Sequence, residues 1–356
     1  MRFLMLRREC DGPWLGWPYE SVLERAGVEI THIPEEMPLD ADIFQLLAIC
    51  PETPALIYRP ECTHFPLPGG LTKVDIPTAI EEEDVYAYTQ RRIGWSMLFD
   101  YPVIYHPGFA KSFEAAGHPR PIELPQALKR ELYSEEERAR EYEVGWVGKV
   151  DGPIYRTRRP ILLELARHFI MNDWQRQYSQ AEMADVYLRS KIIVNISRDD
   201  FPRDANRRVF EAMGSGALLV TRMPTELTDI GLAEGVHFAG YRDMGELVPL
   251  VRKYLDDEQL RCRVAEAGRE EVLRNHTYEA RVEKLLSVLR EDAGRLWAPA
   301  RSWPEHRVDL AYLDYHAGNG PLARARREWP RVARKSVSGA VRGAALIAGA
   351  WSRRWR

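Results

Sequence analysis

The stretch from Ile192 to Thr221 constrains the fold of this chain more than any other. It begins with Ile192-Ile193-Val194, a β-branched run that is too short for a helix and typical of a buried parallel strand. After a polar loop, a helix is predicted to begin near Asp204 or Asn206, both good N-cap residues, and to end at the Gly-Ser-Gly of 214–216. The next predicted strand, ALLV, follows directly. This strand–loop–helix–strand unit predicts a parallel α/β sheet, and the carboxyl edge of such a sheet is where ligands bind.

Three charged side chains fall on one side of this predicted helix. Arg207 and Arg208 precede Glu211 by four and three residues, so the three lie close together on the helix surface. A helix N-terminus attracts anions, and guanidinium groups bind phosphate oxygens bidentately. One interpretation is a diphosphate held by the two arginines, with Glu211 accepting hydrogen bonds from a ribose diol. The alternative is an Arg–Glu pair on a solvated face, which contributes only about 0.3 kcal/mol.

The sequence around these residues resembles the C-terminal half of GT-B glycosyltransferases, and it is similar to the CgeB-like group of the group 1 family. The resemblance rests on the segments RRVFEAMGSGALLVT, GVHFAGYRDMGELVPLVRKYLDD and GREEVLRNHTYEARVEKLL. The R-x-F-E-A-x-x-x-G pattern of that group is formed here by Arg208, Phe210, Glu211, Ala212 and Gly216. The resemblance implies an α/β, GT-B-like fold, with two Rossmann-like domains facing each other across a cleft. It also implies that Glu211 binds the ribose of a nucleotide-sugar donor.

One position departs from the related retaining enzymes. Those enzymes usually carry a second acid eight residues before the ribose-binding glutamate, and here that position is Arg203. The resemblance therefore implies donor binding more strongly than any stereochemical course of the reaction.

The N-terminal half opens with a strand, a loop, a helix and a second strand, as a Rossmann-like domain does. The loop CDGPWLG contains Gly12 and Gly16 but is not a G-x-G-x-x-G fingerprint. These glycines either let an acceptor or phosphate approach the backbone or are ordinary turn glycines.

The N-terminal half also resembles the CgeB-like group in the order of four features. These are an acidic residue after a strand, a strand that begins with Phe-Asp, a helix that ends in glycine and a Leu-Pro pair after the last strand. They are Asp84, Phe99-Asp100, Gly117 and Leu124-Pro125, so the likeness runs from 76 to 289, about 60% of the chain. An inverting transfer requires a base. We rank Asp84 first because the family pattern places an acid there, then His106 after the next strand, then Asp11 in the first loop.

The C-terminal domain is predicted to open with a strand and a glycine turn at Gly148-Lys149. Arg156, Arg158 and Arg159 follow before a helix, and they either contact the donor's phosphates or are solvated. The donor-binding candidates are Glu211, Arg208, Arg207, Gly148, Lys149 and Arg198. Because positive side chains and a helix N-terminus can stabilise a departing diphosphate without metal, we predict no metal and no cofactor, only a nucleotide-diphosphate sugar as donor substrate.

Five segments are expected from the pattern. They are an N-terminal Rossmann-like acceptor-side domain (1–128), a charged linker (129–143), a C-terminal Rossmann-like donor domain (144–290), an irregular segment able to cross back onto the N-terminal domain (291–323) and a basic amphipathic tail (324–356).

Charge is distributed unevenly over the 356 residues. The tail holds ten basic residues and one acid, about +9, which leaves about −12 for the rest of a chain whose net charge is −3. Tryptophans among its arginines suit an interfacial helix on anionic lipid, with disorder as the alternative. Base-reading and RNA-binding motifs are absent, so we expect no nucleic-acid partner.

The rest of the sequence predicts a cytoplasmic protein, with the inner face of the membrane as an additional location set by the tail. The four cysteines are scattered and read as reduced thiols. The N-terminus lacks a long apolar run, so no signal peptide is expected.

Two functions follow from these features. The first is a glycosyltransferase that moves a sugar from a nucleotide-diphosphate sugar to an unknown acceptor without metal. The alternative is a non-catalytic nucleotide-sugar-binding or surface-assembly protein, docked to membrane by its basic tail.

Deleting residues 324–356 is expected to weaken binding to anionic vesicles about a hundredfold or more, because each basic residue near such a surface contributes about 1 kcal/mol. Sedimentation with phosphatidylserine-containing vesicles measures this, and neutral phosphatidylcholine vesicles are the control. Equal binding by the full and shortened chains would refute the interfacial helix.

Overall fold

The computed structural model describes residues 1–8, 19–61, 63, 65–133 and 138–318. The chain forms two compact units. Unit 1 comprises Met1–Leu124 together with the segment from Leu285 onward, and unit 2 comprises Pro125–Lys284. The predicted sites at Asp11, Gly12 and Gly16 and the tail 324–356 lie outside the described residues.

Unit 1 contains a six-stranded sheet in the order β2-β1-β3-β4-β5-β6, with every pairing parallel. Its central strands are buried on both faces, as expected for a parallel sheet covered by helices. The strands are β1 Arg2–Arg8, β2 Glu29–Ile33, β3 Leu56–Arg59, β4 Thr78–Glu82, β5 Tyr101–Ile104 and β6 Ile122–Glu123. The helices among them are α1 Tyr19–Arg25, α2 Ile43–Leu47, α3 Thr89–Ser96 and α4 Ala110–Ala115.

Unit 2 contains a four-stranded parallel sheet in the order β10-β9-β8-β7. The strands are β7 Tyr142–Gly145, β8 Ser190–Asn195, β9 Leu218–Arg222 and β10 Ala239–Tyr241. The helices are α5 Arg158–His168, α6 Gln180–Leu188, α7 Arg207–Gly214, α8 Met244–Asp256, α9 Glu258–Asn275 and α10 Tyr278–Asp292, the last of which continues into unit 1. Both units are α/β with parallel sheets, which confirms the predicted fold class.

Helix α7 and the strands before and after it lie where the sequence predicts them. Helix α7 begins after Asn206, whose side chain accepts a hydrogen bond from the Arg208 amide. Helix α6, which lies between α5 and β8, begins with a reciprocal capping box between Ser179 and Glu182. These elements are set by local signals, so the sequence was sufficient to locate them.

Turns precede two short elements of the structure. Strand β10 begins at Ala239, because Val236 and His237 lie in a turn closed by hydrogen bonds to Ala233. Helix α3 begins at Thr89, because residues 83–88 form the turn that follows β4.

The described residues of the stretch 129–143, expected as a linker, take part in the structure of unit 2. Strand β7 begins at Tyr142. Arg140 donates hydrogen bonds to the carbonyl oxygens of Tyr187, Ser190 and Ser215 at 2.9–3.1 Å. It thereby binds carbonyls near the ends of α6 and α7, where the helix dipole favours a cation.

The expectation of an irregular segment at 291–323 is wrong for residues 305–318, because a helix, α11, runs from Glu305 to Gly318. Its buried side chains Tyr312 and Tyr315 pack into the core of unit 1. The chain before it is held by Asp100, which accepts hydrogen bonds from the amides of Trp297 and Ala298 and is paired with Arg301. Burial against the unit 1 core therefore determines this helix, and an apolar period alone did not reveal it.

Among the described residues, no helix is both long enough and apolar enough to cross a lipid bilayer.

His276 is buried in unit 2 and makes that unit sensitive to acid. Its Nδ1 accepts a hydrogen bond from Arg281 at 3.0 Å, and its ring lies 5.8 Å from that of Phe210. Burial, followed by the charge of Arg281, lowers the pKa of His276 to about 4. The folded protein therefore holds a neutral histidine that takes up a proton when the chain unfolds at mildly acidic pH.

The free energy of unfolding of unit 2 is expected to fall as pH drops through 6.5 toward 4. The charged form of His276 is disfavoured only in the folded state, so the unfolded chain binds the proton more tightly. The free energy of unfolding therefore falls by about 2 kcal/mol between pH 7.5 and pH 5 because of this residue. Urea denaturation of His276→Asn, which keeps an acceptor for Arg281, should show a smaller loss over that range. His168→Asn, at a half-exposed position, is the control. An unchanged loss in His276→Asn would contradict the assignment.

Candidate active site

The N-terminus of α7 lies at the carboxyl edge of the unit 2 sheet, and Asn206 organises it. Its side-chain oxygen accepts hydrogen bonds from the Arg208 amide at 3.1 Å and from Arg208 Nε at 3.2 Å. Its amide nitrogen donates to Asn195, the last residue of β8, at 3.4 Å. The N-cap therefore begins the helix and also holds the Arg208 side chain beside the helix start.

Glu211 lies one turn further into α7 and is only 1% exposed. Its Oε1 pairs with Arg207 Nε at 3.2 Å. Its Oε2 is also buried, and within the described part of the chain no hydrogen-bond donor reaches it. Burial raises the pKa of Glu211, while Arg207 and then Arg208 oppose that rise. A buried acceptor without a donor is costly, and such groups mark sites where a ligand binds.

The alternative of a solvated Arg–Glu pair is therefore wrong for Glu211. Two buried tyrosines, Tyr133 and Tyr187, are stacked with their ring centroids 6.4 Å apart. Burial first, and then the charge of Glu211, raises the pKa of each phenol. Glu211 thus lies in a mostly dry environment in which Arg207 holds one of its two oxygens.

The turn after β7 brings a glycine against Arg208. Trp146, just beyond β7, is fixed by Asn172, which accepts from its amide and donates to its carbonyl, both at 2.9 Å. Gly148 has φ +153°, and a Cβ there would lie 2.9 Å from Arg208 Nη1. The absence of a side chain at Gly148 therefore lets the guanidinium of Arg208 lie against the backbone of this turn.

Arg158, the first residue of α5, is a second cation at this edge. It is 1% exposed, and its Nε and Nη1 donate to the carbonyls of Ile196 and Lys149 at 3.1 and 2.7 Å. Its guanidinium lies 4.0 Å from the centre of the Tyr155 ring. Its Nη2 is buried, and no acceptor among the described residues reaches it. Burial, followed by the nearby charge of Arg208, lowers the pKa of Arg158 to about 10.

The structure thus separates three arginines that the sequence treated as equivalent. Arg156 is exposed, and Arg159 forms an exposed pair with Asp151 at 2.7 Å. Arg158 precedes Ile161 and Leu162 by three and four residues, so helical periodicity places it on the buried face of α5. That periodicity was the sequence signal that could have singled it out.

The other donor-side candidates have simpler surroundings. Lys149 has an exposed side chain on the same turn as Gly148. Arg198 forms a two-point ion pair with Asp200 at 2.8 and 2.9 Å, so a carboxylate already balances its charge. The neighbouring Asp199 accepts hydrogen bonds from the Arg156 amide and the Thr157 hydroxyl, which attaches this loop to the start of α5.

The two candidate bases lie at the carboxyl edge of the unit 1 sheet. Asp84 follows β4, is half-buried, and accepts a hydrogen bond from the Tyr86 hydroxyl at 3.0 Å. His106 lies two residues after β5, is buried, and meets the ring of Tyr86 edge-on at 5.0 Å. The structure therefore brings both residues to one tyrosine, and their role as bases stays a prediction.

Comparison with known proteins identifies the type of fold. Residues 137–287 match a family model described as glycosyl transferase-like. HepE (Alr3699) of Anabaena, solved with UDP and glucose, superposes with a TM-score of 0.58 at 12% identity, over 82% of this chain and 100% of HepE. Sucrose-phosphate synthase of Thermosynechococcus elongatus gives 0.57 at 11% identity, over 82% and 98%. A glycosyltransferase of Rickettsia africae gives 0.57 at 10% identity, over 82% and 98%.

No curated protein matches the sequence. The chain therefore has a fold of the GT-B type, and its residues 137–287 are similar to the glycosyl transferase-like family.

Glu211→Gln is expected to raise the melting temperature of the ligand-free protein at pH 8. The raised pKa means that the folded state disfavours the carboxylate, so its ionisation lowers stability as pH rises and the amide avoids that loss. The gain should shrink toward pH 5, where the wild-type carboxyl is more often protonated. Scanning fluorimetry at both values measures it. A variant that melts below the wild type by the same amount at both pH values would contradict this account.

Proposed function

We propose that this protein is a metal-independent glycosyltransferase that moves a sugar from a nucleotide-diphosphate sugar to an acceptor. The observation that carries the proposal is a pair of buried atoms of opposite charge at the carboxyl edge of one sheet, Arg158 Nη2 and Glu211 Oε2, which have no hydrogen-bond partner among the described residues. A cationic donor and an anionic acceptor of hydrogen bonds match the diphosphate and the ribose diol of a nucleotide sugar.

The diphosphate is the part of the donor that gains charge during transfer. Arg158 and Arg208 are close enough for the charge of Arg208 to lower the pKa of Arg158. Two guanidinium groups beside the N-terminus of α7 form a site for an anion, and binding one relieves their mutual repulsion. The same groups stabilise the departing nucleoside diphosphate, so this chemistry requires no cation beyond the protein's own.

Glu211 is assigned to the ribose. Arg207 occupies Oε1, and Oε2 is left to accept from a sugar hydroxyl in a buried environment. Arg207 is therefore a positioning residue, whereas Arg208 is proposed to contact the phosphates. HepE was also solved with UDP-glucose, and we propose UDP-sugars as the first donors to test.

The stereochemical course is a separate matter. Arg203 pairs with Asp229 at 2.8 Å, with both side chains largely exposed. An ion-paired arginine does not supply the acid that retaining relatives usually carry at this position. We keep Asp84 and then His106 as the proposed bases.

Three finer elements of the proposal rest on sequence. They are affinity with the CgeB-like group, a cytoplasmic location, and attachment to an anionic membrane surface through 324–356. The alternative of a non-catalytic nucleotide-sugar-binding protein shares the donor site and differs only in turnover.

One nucleotide sugar among UDP-glucose, UDP-N-acetylglucosamine, GDP-mannose and dTDP-glucose is expected to raise the melting temperature by about 5 °C or more at a hundred times its Kd. Glu211→Ala and Arg158→Met should each abolish the shift, because each removes one of the unpartnered groups. Arg159→Met, one residue along α5 in an exposed pair, is the matched control and should keep it. A shift that survives in both Glu211→Ala and Arg158→Met would sink the proposed site.

Turnover separates the two functions. Release of nucleoside diphosphate from the bound donor, measured with and without EDTA, is expected to be equal in the two conditions. Loss of release in EDTA would refute metal independence. A donor that binds and is never consumed, whatever acceptor is offered, would favour the non-catalytic alternative.

A further inference from the structure

Unit 1 contains a cavity of about 140 Å³ at the carboxyl ends of β3 and β4. That volume is room on the order of four or five waters, or for part of one sugar ring. Its walls are unusually charged for the interior of a domain. The charged and phenolic side chains in its lining are Arg59, Glu61, Glu81, Glu82, Arg92 and Tyr315.

One half of this cluster is internally compensated. Arg92 binds both oxygens of Glu61 at 3.0 Å and one oxygen of Glu82 at 2.6 Å. The second oxygen of Glu82 accepts from Trp95 Nε1 and the Ser96 hydroxyl, both at 2.7 Å. Buried charges paired in this way are stable without a ligand.

Arg59 differs from Arg92. It is 4% exposed, and its hydrogen bonds go to the Tyr315 hydroxyl at 2.6 and 3.0 Å and to the Leu6 carbonyl at 3.1 Å. Both of these partners are neutral, and no carboxylate of the described residues lies within ion-pair distance of it. A guanidinium has five N–H donors, so two remain unused. Tyr315 accepts twice from Arg59, which leaves its own O–H available to donate.

The cavity also offers acceptors. Glu81 is 2% exposed and accepts from the Tyr58 hydroxyl at 2.8 Å and the Glu61 amide at 3.0 Å. A carboxylate has about four lone-pair sites. The walls therefore present unused donors on Arg59 and Tyr315 beside a buried carboxylate, whose oxygens are acceptors only.

This combination selects a neutral ligand. The walls carry two guanidinium groups and three carboxylates, a net charge of about −1 when all are ionised. An anion would add to that negative charge, and a cation would lie beside the unpaired Arg59. A hydroxyl group both donates and accepts, so a polyhydroxylated ring satisfies both sets of wall groups without adding charge.

We infer that this cavity binds a hydroxyl-bearing sugar ring of the acceptor, with Arg59 and Tyr315 donating to its oxygens and Glu81 accepting from its hydroxyls. The inference rests on the proposed function, since it identifies the acceptor of that transfer as a carbohydrate.

Saturation-transfer NMR on the full chain tests this with the methyl glycosides of glucose, galactose, mannose and rhamnose as probes. Tyr315→Phe should raise the Kd of the best-bound glycoside about three- to tenfold, because one hydrogen bond to a sugar hydroxyl is lost. Tyr312→Phe is the matched control. It removes a buried phenol from the same helix, one that accepts from the Leu71 amide at 3.0 Å, and it does not line the cavity. Glu81→Gln is a second variant, and thermal melting checks that each protein is folded.

A loss of affinity in folded Tyr315→Phe and Glu81→Gln, with Tyr312→Phe unchanged, supports the inference. Three outcomes overturn the inference in favour of a purely structural charge cluster. They are an equal loss of affinity in Tyr312→Phe, no loss of affinity in either cavity variant, and no saturation-transfer signal from any glycoside. Tighter binding of inorganic phosphate than of glycosides, lost in Arg59→Gln, also overturns it.

A parallel titration with UDP-glucose separates the two proposals. Nucleotide binding that requires Glu211, together with no response of the glycosides to Tyr315→Phe, refutes this inference alone. Glycoside binding that depends on Tyr315, in a protein that binds no nucleotide sugar, supports the cavity and refutes the proposed donor site.

Discussion

The burial of the Glu211 carboxylate on α7 is the interaction on which the candidate donor site depends. A buried ionisable group needs partners, and here Arg207 supplies a partner for one oxygen only. The neighbouring features position a second charge, that of Arg208, beside it. Asn206 begins the helix and fixes Arg208, and Gly148 leaves room for the Arg208 guanidinium. The result is an edge of a sheet at which charged side chains are held in fixed positions and are only partly neutralised by their neighbours.

Arg158 is a buried charge of the opposite sign at the same edge of the sheet. Its backbone-carbonyl partners and the Tyr155 ring hold the guanidinium rigidly, yet none of them neutralises it. Such a preorganised cation has no reorganisation cost when a phosphate arrives, which is why fixed charges stabilise a departing anion better than flexible surface lysines do. In the ligand-free protein, burial and the nearby charge of Arg208 disfavour this uncompensated cation, and the pKa of Arg158 is lowered as a result.

Unit 1 uses buried charge differently. Asp100 is fully buried and satisfied by Thr78, by two backbone amides and by Arg301, so it anchors the returning segment before α11. Arg92 and its two glutamates are likewise satisfied. Among the buried arginines described in unit 1, Arg59 alone lacks a carboxylate partner, and it lines a cavity. The paired charges of Asp100 and Arg92 stabilise the fold of unit 1, whereas Arg59, which has no carboxylate partner among the described residues, is the side chain for which we propose a ligand.

The sequence by itself determined the parallel α/β class, the strand–helix–strand unit around α7 and its Asn206 cap, because β-branched runs and capping residues act within a few positions of the chain. Its resemblance to known transferases also predicted a ligand-binding role for Glu211. Only the tertiary structure decided that, among the described residues, Arg158 keeps one nitrogen without an acceptor and Glu211 one oxygen without a donor, and that 305–318 is helical. Those outcomes depend on which distant side chains surround a residue, since burial and partner supply are properties of packing that no local pattern encodes.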